Sequence, residues 1–252
     1  LAAKSVGKKF TALPLFITRN FHHQAIHVNT ESGLNDPKEM EGKTAGIVRG
    51  YTVTTGVWAR YVLSSEYDVE LNKVHWTCTD DEHVAEFNLP SFADYASMGK
   101  SFEEMFANDN IVAAVGTLPE PVKNVQPLIG NPKEAGFASY RRSGVYPVNH
   151  GIVVKDELLE KYPGLAVDLF HALKSSKDKY LSSINKEGNL TAEDQLTVEL
   201  ERGVGGDPFP YGIEPNRLAL EALTQTAYDQ LITPRKFSVE ELFAEGTHDL
   251  IG

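Results

Sequence analysis

Cysteine is nearly absent from this chain of 252 residues: Cys78 is the single one, so no disulfide can form within it and a disulfide scaffold is excluded. Long apolar runs are missing too, and none approaches the roughly 18–20 residues that a membrane-spanning helix needs. Positive charge is in short supply, with 24 Lys plus Arg against 35 Asp plus Glu and a net charge of −11. Phosphate backbones are bound by clustered positive charge, so this balance argues against nucleic acid as a partner. It leaves an anionic small molecule open, because a few buried arginines can dominate a local site whatever the net charge. Several catalytic signatures are also lacking. There is no HExxH or CxxC pattern and no GxSxG elbow. Gly50 and Gly56 are not followed by Lys-Ser/Thr, which removes a phosphate-binding loop. The sequence gives no basis for a metal or an organic cofactor.

The start of the chain, LAAKSVGKKF, has no initiator Met, nor the apolar core and cleavage site of a signal peptide. Leu1–Lys4 reads as the tail of a helix cut at its beginning, so a fragment or processed chain is expected. One lone cysteine without a signal fits a reducing, cytoplasmic compartment.

What is present reads as a globular protein, with 41% hydrophobic and 23% charged residues. The length allows one large domain or two ordinary ones. Short apolar runs of strand length lie at 12–17 (ALPLFI), 25–29 (AIHVN), 44–48 (TAGIV), 73–77 (KVHWT), 111–115 (IVAAV) and within 145–154 (VYPVNHGIVV). Helices are expected at 36–42, where Asp36 precedes Pro37 and Gly42 stops the turn, and at 53–63. A further one at 101–107 opens with a Ser101/Glu104 capping box. Others follow at 156–161, 164–183, 215–230 and 238–244, with a Gly/Pro-rich loop over 203–212. Strands alternating with helices predict an α/β fold with a mainly parallel sheet. Changes of organisation near 30–43 and 140–150 divide the chain into one lobe of 1–43 with 150–252 and another of 44–149. A cleft between two lobes is the usual home of a small-molecule site.

Four groups of residues could carry chemistry. At 44–63 a strand turns into a helix, whose free N–H groups and dipole favour an anion. Gly50 permits close approach there, Arg49 precedes it, and Tyr51, Thr52, Thr54 and Thr55 add hydroxyls. These threonines could equally just cap the helix. Arg19, His22 and His23 lie on a connection between strands. Arg can clamp a carboxylate bidentately and His can move a proton near neutral pH, although a solvated polar loop accounts for any one of them alone. Around 141–150, Arg141, Arg142 and His150 form a third group, with a satisfied half-buried histidine as the plain alternative. Tyr211, Glu214, Asn216 and Arg217 sit where the Gly-rich loop enters a helix, and Glu214 could simply complement the helix dipole. Cys78 at a strand end has no thiolate-activating neighbour and reads as structural.

Longer stretches go further than these groups. GYTVTTGVWARYVLSSEYDV (50–69), RRSGVYPVNHGIVV (141–154) and PYGIEPNRLALEALTQTAYDQLITPRKFSVEELF (210–243) resemble the 4,5-dihydroxyphthalate decarboxylase family, as does FITRNFHHQAIHVNT (16–30). The resemblance covers nearly the whole chain. It implies a fold like that of the type 2 periplasmic binding proteins, two α/β lobes with the ligand between them, with the family's usual opening segment absent here. It also implies decarboxylation of an aromatic ortho-dicarboxylate to 3,4-dihydroxybenzoate and carbon dioxide. On that reading Arg19, Arg49 and the helix start at Tyr51, Thr54 and Thr55 bind the carboxylates. His23 or His150 supplies the proton, and Tyr51, Tyr211 and Glu214 bond the ring hydroxyls. The alternative is a non-catalytic solute-binding protein for a small aromatic carboxylate. Either way the expected partner is that small molecule, not nucleic acid or a membrane.

Overall fold

The computed structural model describes residues 1–97, 102–108, 111–118, 121–184, 186 and 188–252. Among them the strands are β1 (Phe10–Arg19), β2 (Ile26–Asn29), β3 (Thr44–Ile47), β4 (His75–Cys78), β5 (Ala93–Tyr95), β6 (Ile111–Val115), β7 (Val125–Pro127) and β8 (Val148–Lys155). The α-helices are α1 (Ala2–Ser5), α2 (Thr54–Tyr67), α3 (Phe102–Asn108), α4 (Pro132–Ser143), α5 (Asp156–Lys161), α6 (Leu165–Ser183), α7 (Ala192–Val204) and α8 (Arg217–Asp229). The class is α/β, as the alternation predicts.

The chain forms two compact units. Unit 1 comprises Leu1–Val6, Phe21–Gly136 and Thr226–Arg235; unit 2 comprises Gly7–Asn20, Phe137–Gln225 and Lys236–Gly252. The sequence division at 43/44 and 149/150 differs from these bounds. β2 pairs with both β6 and β7, which ties 21–43 to the segment that follows it.

Unit 1 is built on a six-stranded sheet of order β5-β4-β3-β6-β2-β7. Its β5-β4, β4-β3 and β3-β6 pairs are parallel, while β6-β2 and β2-β7 are antiparallel. The sheet is therefore mixed rather than mainly parallel. Parallel neighbours need a crossover, normally helical. α2 supplies one between β3 and β4, whereas β2 reaches β3 through 30–43, where the capped segment expected at 36–42 is a single 3-10 turn, Pro37–Met40. Its Asp36/Glu39 capping box is formed. The core packs Ile26, Ala45, Ile47, Trp76 and Val115 of the strands against Val57, Ala59 and Leu63 of α2. The Trp76 ring is fully buried, and its indole N–H donates to the Leu71 carbonyl at 2.9 Å. α2 runs a turn past the expected end at Leu63 and stops at Asp68, which adopts the left-handed conformation (φ 53°). Ser101, half of the expected capping box before α3, lies outside the described residues.

In unit 2, β1 and β8 form a two-stranded antiparallel sheet with register shifts after Leu13, Phe16 and Thr18. Pro14 lacks an N–H and cannot continue the ladder; its carbonyl accepts from Gly212 N–H at 2.8 Å. Leu13, Leu15, Val154, Ala166, Phe170 and Tyr211 make the core between this sheet and α6. α7 and α4 were not foreseen from the sequence. Thr191 caps α7 with a full capping box through Asp194, and the helix runs to Val204 before Gly205 ends it at φ 72°. The expected 203–212 loop therefore starts two residues late. The 215–230 element is a 3-10 turn, Glu214–Asn216, followed by α8, and the 238–244 element reduces to the turn Glu240–Leu242.

Candidate active site

The chain leaves β3 at Ile47 and enters α2 at Thr54, and the turn between them is the most built site in unit 1. From the carboxyl end of β3 the chain continues through α2 to β4 on one side, while β6 flanks β3 on the other. Ligands of open α/β sheets bind outside the carboxyl ends of strands at such a change of direction. Arg49 takes a left-handed conformation there (φ 68°) and its N–H donates to Thr79 Oγ1 at 2.7 Å. Its side chain is exposed. The N-cap of α2 is Val53, so the helix has no side-chain cap. The capping role open to the threonines is thus not taken at the N-cap; Thr54 and Thr55 are half-buried at the first two helical positions.

A carboxylate already lies on this turn, and it belongs to the protein. Glu82 Oε1 accepts from the Tyr51 N–H, and Oε2 accepts from the Thr52 N–H at 3.2 Å and the Thr52 hydroxyl at 2.5 Å. A Cβ at Gly50 would come within 2.8 Å of Glu82 Oε1, so a larger residue would push the carboxylate from its present place. Sequence reasoning pointed to the turn but missed Glu82. The contact joins the ends of two neighbouring parallel strands, and nothing in the spacing of 50 and 82 announces it.

Beneath the turn Tyr51 and Arg60 are wholly buried. The Arg60 guanidinium lies 4.1 Å from the Tyr51 ring centroid. It donates from Nη2 to the Tyr51 carbonyl at 2.6 Å and from Nε to Gln230 Oε1 at 3.0 Å. Burial lowers the pKa of Arg60 and raises that of the Tyr51 phenol. Arg60 was missed as well; a cation on the apolar face of a predicted amphipathic helix was the available signal.

His23 begins a 3-10 turn before β2 and is buried, with Nε2 3.0 Å from Glu66 Oε1 and Nδ1 without a hydrogen-bond partner among the described residues. Glu66 stands in the last turn of α2, twelve residues beyond Thr54. At about 1.5 Å per residue that is about 18 Å along the helix axis. The structure thus places His23 at the opposite end of α2 from the Gly50–Thr52 turn. His22, beside it, is buried too.

Unit 2 holds the remaining candidates. Arg19 ends β1 and is buried. Three of its five N–H groups go to the Tyr146 carbonyl, the Pro147 carbonyl (3.4 Å) and Asn216 Oδ1, and its Cζ lies 3.9 Å over the Tyr146 ring. Burial lowers its pKa to about 10, which leaves it charged at neutral pH. His150 faces Thr18 across the β1/β8 pair. Its Nδ1 is 2.5 Å from Thr18 Oγ1, and the ring is exposed. Thr18, Arg19, Lys177 and Tyr211 share a cavity of about 580 Å³ with apolar walls from Leu173, Leu196 and Leu200. Lys177 is buried there, bonded to Asp207 and to the Phe209 carbonyl (3.1 Å), with Nζ 4.6 Å from the Tyr211 ring centroid. Glu214 is elsewhere: it is exposed and paired with Arg217 at 2.5 Å, which also binds Glu240 at 2.9 Å. The Arg217 hydrogen bond lowers the Glu214 pKa.

Among the described residues no three His, Cys, Asp or Glu side chains come together as a metal site would require. No helix among them is long and apolar enough to cross a membrane.

Comparison with known proteins bears on this geometry. No family model matches the chain. It is 25% identical over 251 residues to a 4,5-dihydroxyphthalate decarboxylase of Comamonas testosteroni, covering 93% of this chain and 76% of that protein. It is 28% identical over 67 residues to a 4,5-dihydroxyphthalate decarboxylase of Pseudomonas putida, covering 27% of this chain and 26% of that protein. The resemblance seen in the sequence is met by these relatives, and both are decarboxylases. Among solved structures the chain is similar to the alkanesulfonate-binding protein SsuA from Xanthomonas axonopodis pv. citri, with a TM-score of 0.45 and 12% identity over 96% of this chain and 76% of that one. The periplasmic aliphatic sulphonate binding protein SsuA from Escherichia coli gives a TM-score of 0.45 and 12% identity over 97% and 76%.

Proposed function

We propose that this chain is a decarboxylase of a dihydroxylated aromatic ortho-dicarboxylate of the 4,5-dihydroxyphthalate kind. The observation that carries the reading is its similarity to the Comamonas decarboxylase along 93% of its length, too long a match to rest on one shared motif. The chemistry sets three demands. The substrate dianion takes up one proton on a ring carbon, driven by electron density from the hydroxyl para to that carbon. The bond to the carboxylate then breaks, its electron pair restores the ring, and carbon dioxide leaves a monoanionic dihydroxybenzoate. The protein must hold the retained carboxylate, supply the proton and stabilise the ring hydroxyls.

For the first demand the Gly50–Thr52 turn is the part best suited, since it already seats a carboxylate on two backbone N–H groups and a hydroxyl. Charge-assisted bonds of this kind are the strong ones, and Arg60 adds a buried positive charge beneath them. For the second we assign His150, because Thr18 holds one ring nitrogen and the exposed ring offers the other. His23 is the weaker candidate: it is buried and tied to Glu66 at the far end of α2, which suits a positioning role. Tyr211 is kept for a ring hydroxyl. Arg19 acts through its charge and its hold on residues 146–147, which precede the strand carrying His150. Glu214, held by Arg217 on the surface, is given no part.

The test is carbon dioxide release from 4,5-dihydroxyphthalate by the full chain and by folded His150→Gln and His23→Gln variants. Positioned general acids contribute about 10²–10⁴-fold. The expected result is a loss of at least 100-fold in His150→Gln with binding of the substrate retained. A His150→Gln rate within a few-fold of the unaltered chain would overturn the assignment.

A further inference from the structure

Resting on the reading above, we infer that the connection 79–92 between β4 and β5 is an internal substitute for the aromatic carboxylate, and that a ligand enters by displacing Glu82 and Phe87 from the Gly50–Thr52 turn.

Three observations lead there. First, the connection places on the turn the two features an aromatic carboxylate has. The Glu82 carboxylate takes the Tyr51 and Thr52 N–H groups and the Thr52 hydroxyl. The Phe87 ring stacks on Tyr51, with centroids 6.1 Å apart and planes inclined by 14°. Second, the turn carries more binding capacity than Glu82 uses. Among the described residues Tyr51 Oη and Arg60 Nη1 find no hydrogen-bond partner, on side chains that are 0% exposed. Arg60 Nη1 lies against the first turn of α2, where a Cβ on Gly56 would come within 3.3 Å of it. A buried donor left unpaired is destabilising. Arg60 Nη1, against a helix start with no side-chain cap, marks a place made for a further acceptor. Third, the hydrogen bonds of Arg60 go to a carbonyl and an amide, and among the described residues no carboxylate pairs with it directly. Glu82 is the nearby acid whose charge bears on it. Removing Glu82 leaves a positive turn that an incoming carboxylate can neutralise.

The displaced segment is suited to leaving. Residues 79–92 form neither helix nor strand. Glu82 and Phe87 are only half-buried, and Asp80, Asp81 and Glu86 keep the segment compatible with water. A tethered carboxylate competes with every entrant at high effective concentration, so small monoacids are kept out and the turn is reserved for ligands that bring further contacts.

The experiment uses phthalate as probe, because it lacks the hydroxyls that decarboxylation needs and so reports binding alone. Its dissociation constant is measured by calorimetry for the full chain, Glu82→Gln and Phe87→Ala, and the backbone amides of Tyr51 and Thr52 are followed by NMR. Glu82→Gln keeps the shape and removes the charge. The expected result is about tenfold tighter phthalate binding in Glu82→Gln, with both amides shifting on addition. Unchanged or weaker binding in a folded Glu82→Gln overturns the inference. If that variant fails to fold, the unaltered chain decides: saturating phthalate must move the Tyr51 and Thr52 amides, and their staying fixed overturns it. The reading of the activity fails separately. Acetate or phthalate taken up at these amides in Glu82→Gln, with no carbon dioxide from 4,5-dihydroxyphthalate, keeps the displacement and removes the decarboxylase.

Discussion

Cys78 shows how a single side chain reports on its surroundings. Burial under Trp76 and α2 pushes its thiol up to about 12 from 9.0. The thiolate is the reactive form, so the native thiol is inert, in line with its reading as structural. Between pH 9 and about 12 only the native state keeps the thiol proton. Stability from this group is therefore whole below pH 9, where both states hold the proton, and declines as pH rises from about 9 towards 12. Tyr146, also pushed up to about 12 by burial, acts in the same direction. We expect the urea midpoint to fall between pH 8 and pH 10.5, and to fall less in Cys78→Ala. Iodoacetamide at pH 8 should label Cys78 only after unfolding. Rapid labelling of the folded chain would show that the thiol is not sealed in the core.

At the level of elements, the strands were legible because short β-branched and apolar runs bounded by polar residues have one obvious use. α2 and α6 were legible from their apolar spacing. α7 was not: its charged sequence over 192–204 hides a helix whose only announcement is the Thr191/Asp194 capping box. Gly203 within it looked like loop punctuation. Its actual reason is close packing, since a Cβ there would fall 1.9 Å from the Phe137 ring. Ala in place of Gly gains about 1 kcal/mol of helix propensity. Forcing a methyl against a buried ring costs typically 1–3 kcal/mol, and a contact this short lies at the severe end. Gly203→Ala should therefore lower the melting temperature by several degrees. An unchanged or raised value would mean that α7 does not pack on Phe137 as described. Strand direction was the other illegible feature. An alternation of apolar runs does not say whether β2 runs with or against β6; the pairing of Ile26 with Val115 and Val28 with Ala113 shows that it runs against it.

For the whole molecule, the same division holds between what the chain spells out and what folding adds. The stretches around Gly50, His150 and Tyr211 declare a relationship that the 25% identity to the Comamonas decarboxylase meets. The apparatus around the turn is three-dimensional. Glu82 joins Tyr51 and Thr52 from 30 residues away, and Arg60 holds Gln230 across 170 residues. Neither partner could be paired by spacing. A net charge of −11 also sits oddly with the dianionic substrate proposed, and on that proposal local buried cations must outweigh it. In the reaction proposed, carbon dioxide leaves the substrate as one proton is taken up. The most direct measurement is simultaneous carbon dioxide release and proton uptake by the full chain with 4,5-dihydroxyphthalate, beside phthalate as the unhydroxylated control. One proton consumed per carbon dioxide is expected, with phthalate bound but not decarboxylated. Tight binding of 4,5-dihydroxyphthalate without any release would contradict it and make the chain a carrier of aromatic carboxylates.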